Sequence, residues 1–249
     1  MKKVLITGAS GGFGCEFAQQ LERDGYSLLL HGRDKARLQL TLDALAYPER
    51  HEFLFADLSS RKETESLIDT LAGHDLFGLV NNAGFGVWGG FAAKESVAQA
   101  DVIRVDFLAP VMLTHAVLPQ LIKNKGFMIN VSSLAAETPL PYLATYAAVK
   151  AGLTFWSEAL RIEHKAVVRI VTLAPGPSPT GFRDVSGAPK GKGSLFSTAA
   201  STVVESSLRT LAAGGGYCVP GWRHKLLWLI QMLVPRSLSL MMMAKYLKK

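Results

Sequence analysis

Thr7-Gly8-Ala9-Ser10-Gly11-Gly12-Phe13-Gly14 decides the fold. The stretch stands directly behind the apolar run Val4–Thr7 and ahead of a helical pattern over Phe13–Asp24. A tight turn needs a residue without a Cβ, and a pyrophosphate touches backbone only where no side chain intervenes. The N-terminus of the following helix offers unpaired N–H groups and the positive end of its dipole to the phosphates. Gly8, Gly12 and Gly14, with Ser10 and Phe13 among them, therefore read as a turn built for a dinucleotide.

Working outward, short β-rich runs alternate with longer helical patterns. Strands are expected at Val4–Thr7, Ser27–His31, Glu52–Ala56, Leu79–Asn81, Phe127–Val131, Arg169–Leu173 and Tyr217–Pro220. Most are continuous apolar runs, as parallel strands covered on both faces require. Helices are expected near Phe13–Asp24, Asp34–Ala46, Arg61–Leu71, Val102–Lys123, Tyr142–Lys165 and Thr198–Ala213. One helix per crossover implies an α/β fold, a Rossmann-type doubly wound parallel sheet of about seven strands with helices on both faces. The 249 residues show no internal repeat or interdomain linker, so a single domain is expected over 1–220, with 221–249 as its C-terminal extension.

Composition narrows the function. Twenty-seven Lys and Arg against 20 Asp and Glu give a net charge of +7. Six of those basic residues (Arg223, Lys225, Arg236, Lys245, Lys248, Lys249) lie after Gly221, where no acidic residue occurs. The body is close to neutral, which argues against a nucleic-acid partner. Cys15 and Cys218 are far apart and the six histidines are scattered, so no metal site is expected and the thiols read as reduced, in a cytoplasmic protein. The N-terminal apolar run is too short for a signal peptide, and no segment has 18 uninterrupted apolar residues.

The end of the second strand selects the cofactor. An NAD site usually places Asp or Glu there for the ribose 2′-OH. Here the residues are His31-Gly32-Arg33, and a carboxylate first appears at Asp34. A guanidinium clamps a 2′-phosphate with charge-assisted hydrogen bonds. Arg33, with the Ser10 hydroxyl, therefore implies NADP(H).

Tyr146-Ala147-Ala148-Val149-Lys150 supplies the chemistry. On a helix, residues four apart share a face. A phenol titrates near pH ~10, and a neighbouring ammonium favours the phenolate, so the pair is an acid–base device with a lowered tyrosine pKa. Ser133, thirteen residues earlier, follows the apolar strand Phe127–Val131, and ligands of such sheets bind at the carboxyl ends of strands.

With these residues in view, the chain resembles the short-chain dehydrogenase/reductase family over nearly its whole length. The landmarks are the Thr7–Gly14 motif, Asp57-Leu58, Asn81-Asn82-Ala83-Gly84, Ser133, Tyr146 with Lys150, and Pro175-Gly176 followed by Thr180. The resemblance implies that Tyr146 exchanges a proton with a carbonyl or alcohol oxygen, Ser133 holds that oxygen, and Lys150 tunes Tyr146 and binds the nicotinamide ribose. It further implies that Asp57 and Leu58 face the adenine, that Asn81, Ala83 and Gly84 line the cofactor cleft, and that Pro175, Gly176 and Thr180 lie at the nicotinamide. The expected reaction is hydride transfer between NADP(H) and a small-molecule ketone, aldehyde or the corresponding alcohol. A homo-oligomer, dimer or tetramer, is implied in the same way.

One departure stands out. The family usually has an Asn in the helix before the serine strand, supporting a proton relay through the lysine, and the matching position is Asp106. An ionised Asp accepts but does not donate, and it stabilises Lys150 as a cation. Lowered or pH-shifted activity is therefore expected, and a catalytically weak, cofactor-binding regulatory protein is the alternative reading.

Two segments break the rhythm. Pro175–Ser197, rich in Pro and Gly, resembles the family's substrate loop, with Phe182, Val185, Leu195 and Phe196 as apolar members and Arg183, Lys190 and Lys192 as basic ones. The tail 222–249 combines dense apolar residues with purely basic charge. Peripheral contact with a membrane, as in a lipid-carbonyl reductase, an oligomer interface, and packing on its own domain all stand open.

Overall fold

The computed structural model describes residues 1–189, 197–234 and 236–247. Lys190, Lys192, Leu195 and Phe196 of the expected loop, and Lys248 and Lys249 of the tail, lie outside the described residues. The strands β1 (Lys3–Ile6), β2 (Ser27–Gly32), β3 (Glu52–Phe55), β4 (Leu76–Asn81), β5 (Phe127–Val131), β6 (Arg169–Leu173) and β7 (Gly216–Cys218) form one parallel sheet. Its order is β3-β2-β1-β4-β5-β6-β7, so the chain reverses direction across the sheet between β1 and β4. That switch point opens a crevice at the carboxyl ends of the strands.

Helices cover both faces. On one side α1 (Gly12–Arg23), α2 (Lys35–Asp43) and α8 (Ala200–Ala212) bury Phe17, Leu21, Leu38 and Val203 against Ile6, Leu30 and Phe127. On the other, α3 (Arg61–Leu71) and α5 (Ala109–Lys123) bury Leu67, Leu113 and Val117 against Leu5, Leu79 and Met128. α5 continues α4 (Ser96–Ile103) through one wider π-helical turn, Arg104–Leu108. The continuous helix is long and apolar enough to span a bilayer, but Leu113, Val117 and Leu121 are fully buried against the sheet, as in a core helix.

The structure corrects several boundaries. The helix expected to begin at Val102 begins at Ser96. β4 starts three residues before Leu79, because Gly78, a poor strand former, yields its side-chain space to the Phe127 ring. Tyr142 lies outside α6 (Ala144–Glu163), with φ +67°, a backbone conformation costly for a residue bearing a Cβ. Among the described residues, the Pro/Gly-rich segment contains α7 (Phe182–Ser186) and the tail contains α9 (Trp222–Leu233) and α10 (Arg236–Leu247).

Candidate active site

Every landmark loop leaves the carboxyl end of a strand. The glycine turn follows β1, and Gly8 takes φ +63°, which its lack of a Cβ permits. A side chain at Gly14 would meet the Gly8 carbonyl oxygen at 2.1 Å, so the turn closes only with glycine there. Asn82, after β4, locks the turn by donating from Nδ2 to the carbonyls of Thr7 (2.9 Å) and Gly8 (3.0 Å). The N-terminus of α1 has no capping side chain and no acidic residue in its first turn, leaving its amides for an anion. Thr180 reaches back to this turn, its Cα 2.7 Å from where a Gly12 Cβ would stand.

The far end of the crevice carries charges of both signs. Arg33 is exposed, with Nη1 3.7 Å from Asp57 Oδ2, and the two join Phe55, Ala56 and Glu63 around a pocket of about 320 Å³. Arg37, which sequence reasoning missed, donates from Nη2 to the Ser10 carbonyl at 3.3 Å and so brings a second guanidinium to the glycine turn. Its signal was its place one turn into α2, beside Arg33. Asp34 is spent as the cap of α2, accepting from the Arg37 N–H at 3.0 Å. Burial holds His31 down to about 4, so it stays neutral behind the turn. Burial works against ionisation of Asp57, but hydrogen bonds from Ser59 and the Arg33 charge outweigh it and keep the carboxyl below its ordinary range.

Two expected cleft residues point elsewhere. The Asn81 side chain is buried, donating to Asn130 Oδ1 (2.8 Å) and Thr114 Oγ1 (3.1 Å) inside the protein. The Leu58 side chain packs in the core with Leu67 and Leu79 rather than facing an adenine. Apolar burial holds Leu58, and the amide hydrogen bonds to Asn130 and Thr114 hold Asn81, away from the crevice.

At the opposite end, α6 presents Tyr146 and Lys150, and Ser133 after β5 lies within hydrogen-bonding reach of the Tyr146 hydroxyl. Ser133 Oγ also accepts from the Ala135 N–H at 3.1 Å. Lys150 Nζ is buried, donates to the Val131 carbonyl at 2.9 Å and stands 5.7 Å from the Tyr146 ring centroid. It lies 3.2 Å from Asp106 Oδ2. Asp106, in the π-helical turn, is fully buried, and its Oδ1 accepts from the Phe85 N–H at 2.9 Å. The pair fits only beside a glycine: a Gly84 Cβ would sit 2.7 Å from Asp106 Oδ2 and 3.1 Å from Lys150 Nζ.

The electrostatics reverse one expectation. Burial pushes the Tyr146 phenol above its ordinary value, Lys150 pulls it down less strongly, and Asp106 pushes it up again. Tyr146 is thus a protonated phenol at neutral pH. For Lys150, burial acts downward, but the Asp106 charge, joined by that of Tyr146 once it ionises in the alkaline range where the lysine titrates, outweighs it and holds the ammonium above its ordinary range. Burial raises Asp106 against the pull of Lys150 and the Phe85 N–H. The two partners thus lean opposite ways; we take the pair as ionised, because both carboxylate oxygens face a donor or a cation.

An aromatic wall stands over the tyrosine. The Phe182 ring of α7 lies 5.0 Å from that of Tyr146, and Trp88 stacks on Tyr142 at 6.2 Å. Gly86 leaves room for Phe182 and Leu143. Val185, the other described apolar member of the loop, is exposed. Pro175 accepts from the Leu134 N–H at 3.0 Å, tying the β6 loop to the serine loop. Among the described residues no cluster of His, Cys, Asp and Glu could hold a metal.

The geometry agrees with known proteins. A family model described as short chain dehydrogenase matches residues 2–190. Hydroxysteroid 11-beta-dehydrogenase 1-like protein from Macaca fascicularis is 31% identical over 245 residues, covering 94% of this chain and 83% of the relative. Hydroxysteroid dehydrogenase-like protein 1 from Gallus gallus is 29% identical over 231 residues, covering 90% and 69%. A solved short-chain dehydrogenase from Sphingobium yanoikuyae in complex with NADPH superposes with a TM-score of 0.82 at 26% identity, over 89% of each chain. A Burkholderia phymatum structure in complex with NAD shares the fold, with a TM-score of 0.80 at 20% identity, over 94% of this chain and 96% of that one. The glycine turn, the parallel sheet and the match over residues 2–190 together make this chain a member of the short-chain dehydrogenase/reductase family of oxidoreductases.

Proposed function

We propose that this enzyme reduces an apolar ketone or aldehyde with NADPH, Tyr146 serving as the proton donor. The observation that carries the reading is the placement of Tyr146 within hydrogen-bonding reach of Ser133 and beside the buried Lys150, at the carboxyl edge of the sheet. The residues suit the cofactor at both ends. The uncapped amides of α1 fit the pyrophosphate, and Arg33 and Arg37, with Asp34 already engaged, fit a 2′-phosphate better than a bare ribose. Gly12, Thr180, Pro175 and Gly176 are the proposed lining at the nicotinamide end.

The bound nicotinamide supplies the hydride. Ser133 and Tyr146 hold the substrate oxygen from one side, and the Tyr146 hydroxyl gives its proton to that oxygen as charge develops. Lys150 stays cationic and stabilises the phenolate left behind. A phenol raised by burial is present in its donating form at neutral pH, so reduction is expected to keep its rate to higher pH, whereas oxidation, which needs the phenolate first, is expected to speed up as the solution becomes alkaline. Phe182, Trp88 and Tyr142 exclude water and favour an aromatic or alicyclic substrate. Asp106 speaks for the second reading, weak turnover in a cofactor-binding protein, because its charge opposes phenolate formation.

Two unpaired thiols, Cys15 and Cys218, support a cytoplasmic location. Exposed Val97, Ile103, Leu108, Phe155 and Ile162 on α4, the π-helical turn and α6 support a homo-oligomer built on these helices. The test of the cofactor is thermal melting with matched NADPH and NADH: a ligand of the folded state raises the melting temperature according to concentration over affinity. A larger rise with NADPH is expected, and a larger rise with NADH refutes the assignment.

A further inference from the structure

α9 is amphipathic in the reverse of the usual sense. At 100° per residue, Trp222, Leu226, Leu229, Ile230 and Leu233 fall within an arc of about 100°, and all five are exposed, Trp222 by 70% and Leu233 by 84%. A surface helix normally turns such a stripe to the core. Here the opposite face holds the helix to the body. The His224 ring is buried against the Pro175-Gly176 turn, where a Gly176 Cβ would meet its Nε2 at 2.4 Å, and its Nδ1 lies 3.1 Å from the Pro220 carbonyl. The Trp228 ring lies 5.8 Å from that of Tyr217. These contacts fix the rotation of the helix and keep the apolar stripe outward.

Charge identifies what covers it. Arg223 and Lys225 border the stripe on its two sides, by the same helical geometry. From Gly221 to Lys249 the chain carries six basic residues and no acidic one. A second copy meeting this face would bring like charges together, whereas an anionic bilayer meets both the stripe and the cations. On α10, Leu238 and Met241, three residues apart, are exposed as well.

We propose that α9 lies in the headgroup region of an anionic membrane, with Trp222, Leu226, Leu229, Ile230 and Leu233 submerged and Arg223 and Lys225 at the phosphates. The inference is independent of the reaction catalysed. Because His224 packs on the cofactor-side turn, the docked helix holds the mouth of the crevice close to the lipid surface.

The test is flotation of the full-length protein with vesicles of equal parts phosphatidylcholine and phosphatidylglycerol, and with pure phosphatidylcholine. The protein is expected to rise with the mixed vesicles and not with the neutral ones, and to be released by high salt. Leu226→Glu/Leu233→Glu, exposed positions away from the catalytic residues, is expected to cut the bound fraction about tenfold or more. In the unaltered protein, brominated phospholipid in the mixed vesicles is expected to quench tryptophan fluorescence. Failure of the full-length protein to float, or flotation of a folded double variant as strong as wild type, overturns the proposal. A double variant that breaks an oligomer in sedimentation velocity, with no flotation by wild type, assigns the face to a second copy instead.

Discussion

Replacing Asp106 by Asn keeps the volume and removes the charge. In the native site the Lys150 ammonium, buried and 3.2 Å from Asp106 Oδ2, otherwise has the Val131 carbonyl as its acceptor. Removing one partner of a buried pair leaves an uncompensated charge and costs about 3–5 kcal/mol. An amide oxygen still accepts one hydrogen bond, so the lower end applies. At about 2–4 °C per kcal/mol for a domain of this size, the melting temperature at neutral pH is expected to fall by about 6–12 °C. The pH dependence has a defined sign. In the native protein Lys150 is raised above its unfolded value, so its stabilisation is complete below that value and is lost as pH rises through the folded one. Without Asp106, burial prevails and depresses Lys150, so the deficit shrinks as the solution becomes alkaline and the lysine loses its proton. Tyr146 loses one of the two influences that raise it, so the alkaline limb of carbonyl reduction moves to lower pH. Melting scans from neutral to alkaline pH, with kcat/KM over the same range, read both effects. A melting temperature within about 1 °C of wild type, together with an unmoved alkaline limb, refutes the ionised pair.

Arg33→Ala is expected to weaken NADPH binding by roughly ten- to a hundredfold, the worth of charge-assisted hydrogen bonds to one phosphate, and to leave NADH binding nearly unchanged in titration calorimetry. Arg37→Ala is expected to act in the same direction, more weakly, because its guanidinium already serves the Ser10 carbonyl. Gly78→Ala drives a Cβ to 2.5 Å from the Phe127 ring and is expected to cost about 1–3 kcal/mol in denaturant unfolding, with cofactor affinity retained in the folded fraction.

The fold was legible where local chemistry has no competitor. The glycine turn and the apolar runs of β2, β5 and β6 each read one way, because a covered parallel strand tolerates little else. β4 was half hidden, since Gly78 is chosen for the ring of Phe127 on the next strand, β5, a tertiary reason no local pattern carries. Spacing and strand position single out Tyr146, Lys150 and Ser133 as candidates, and the structure brings the three side chains together. The sign of the Tyr146 shift was not legible, because burial is a property of the assembled site. Asn81 looked like a cleft residue for want of its partners: Thr114 lies 33 residues on and Asn130 49 residues on. The outward stripe of α9 was visible only as apolar density, since its direction depends on what His224 and Trp228 touch.

The central claim is that Tyr146 protonates a carbonyl as NADPH delivers hydride. The direct measurement is the rate of NADPH absorbance loss with a panel of aromatic and alicyclic ketones, for wild type and Tyr146→Phe at equal cofactor saturation. The account predicts ketone-dependent turnover that falls by at least about a hundredfold in the variant, the usual worth of a positioned general acid, with NADPH affinity retained. Turnover in Tyr146→Phe equal to wild type would contradict it.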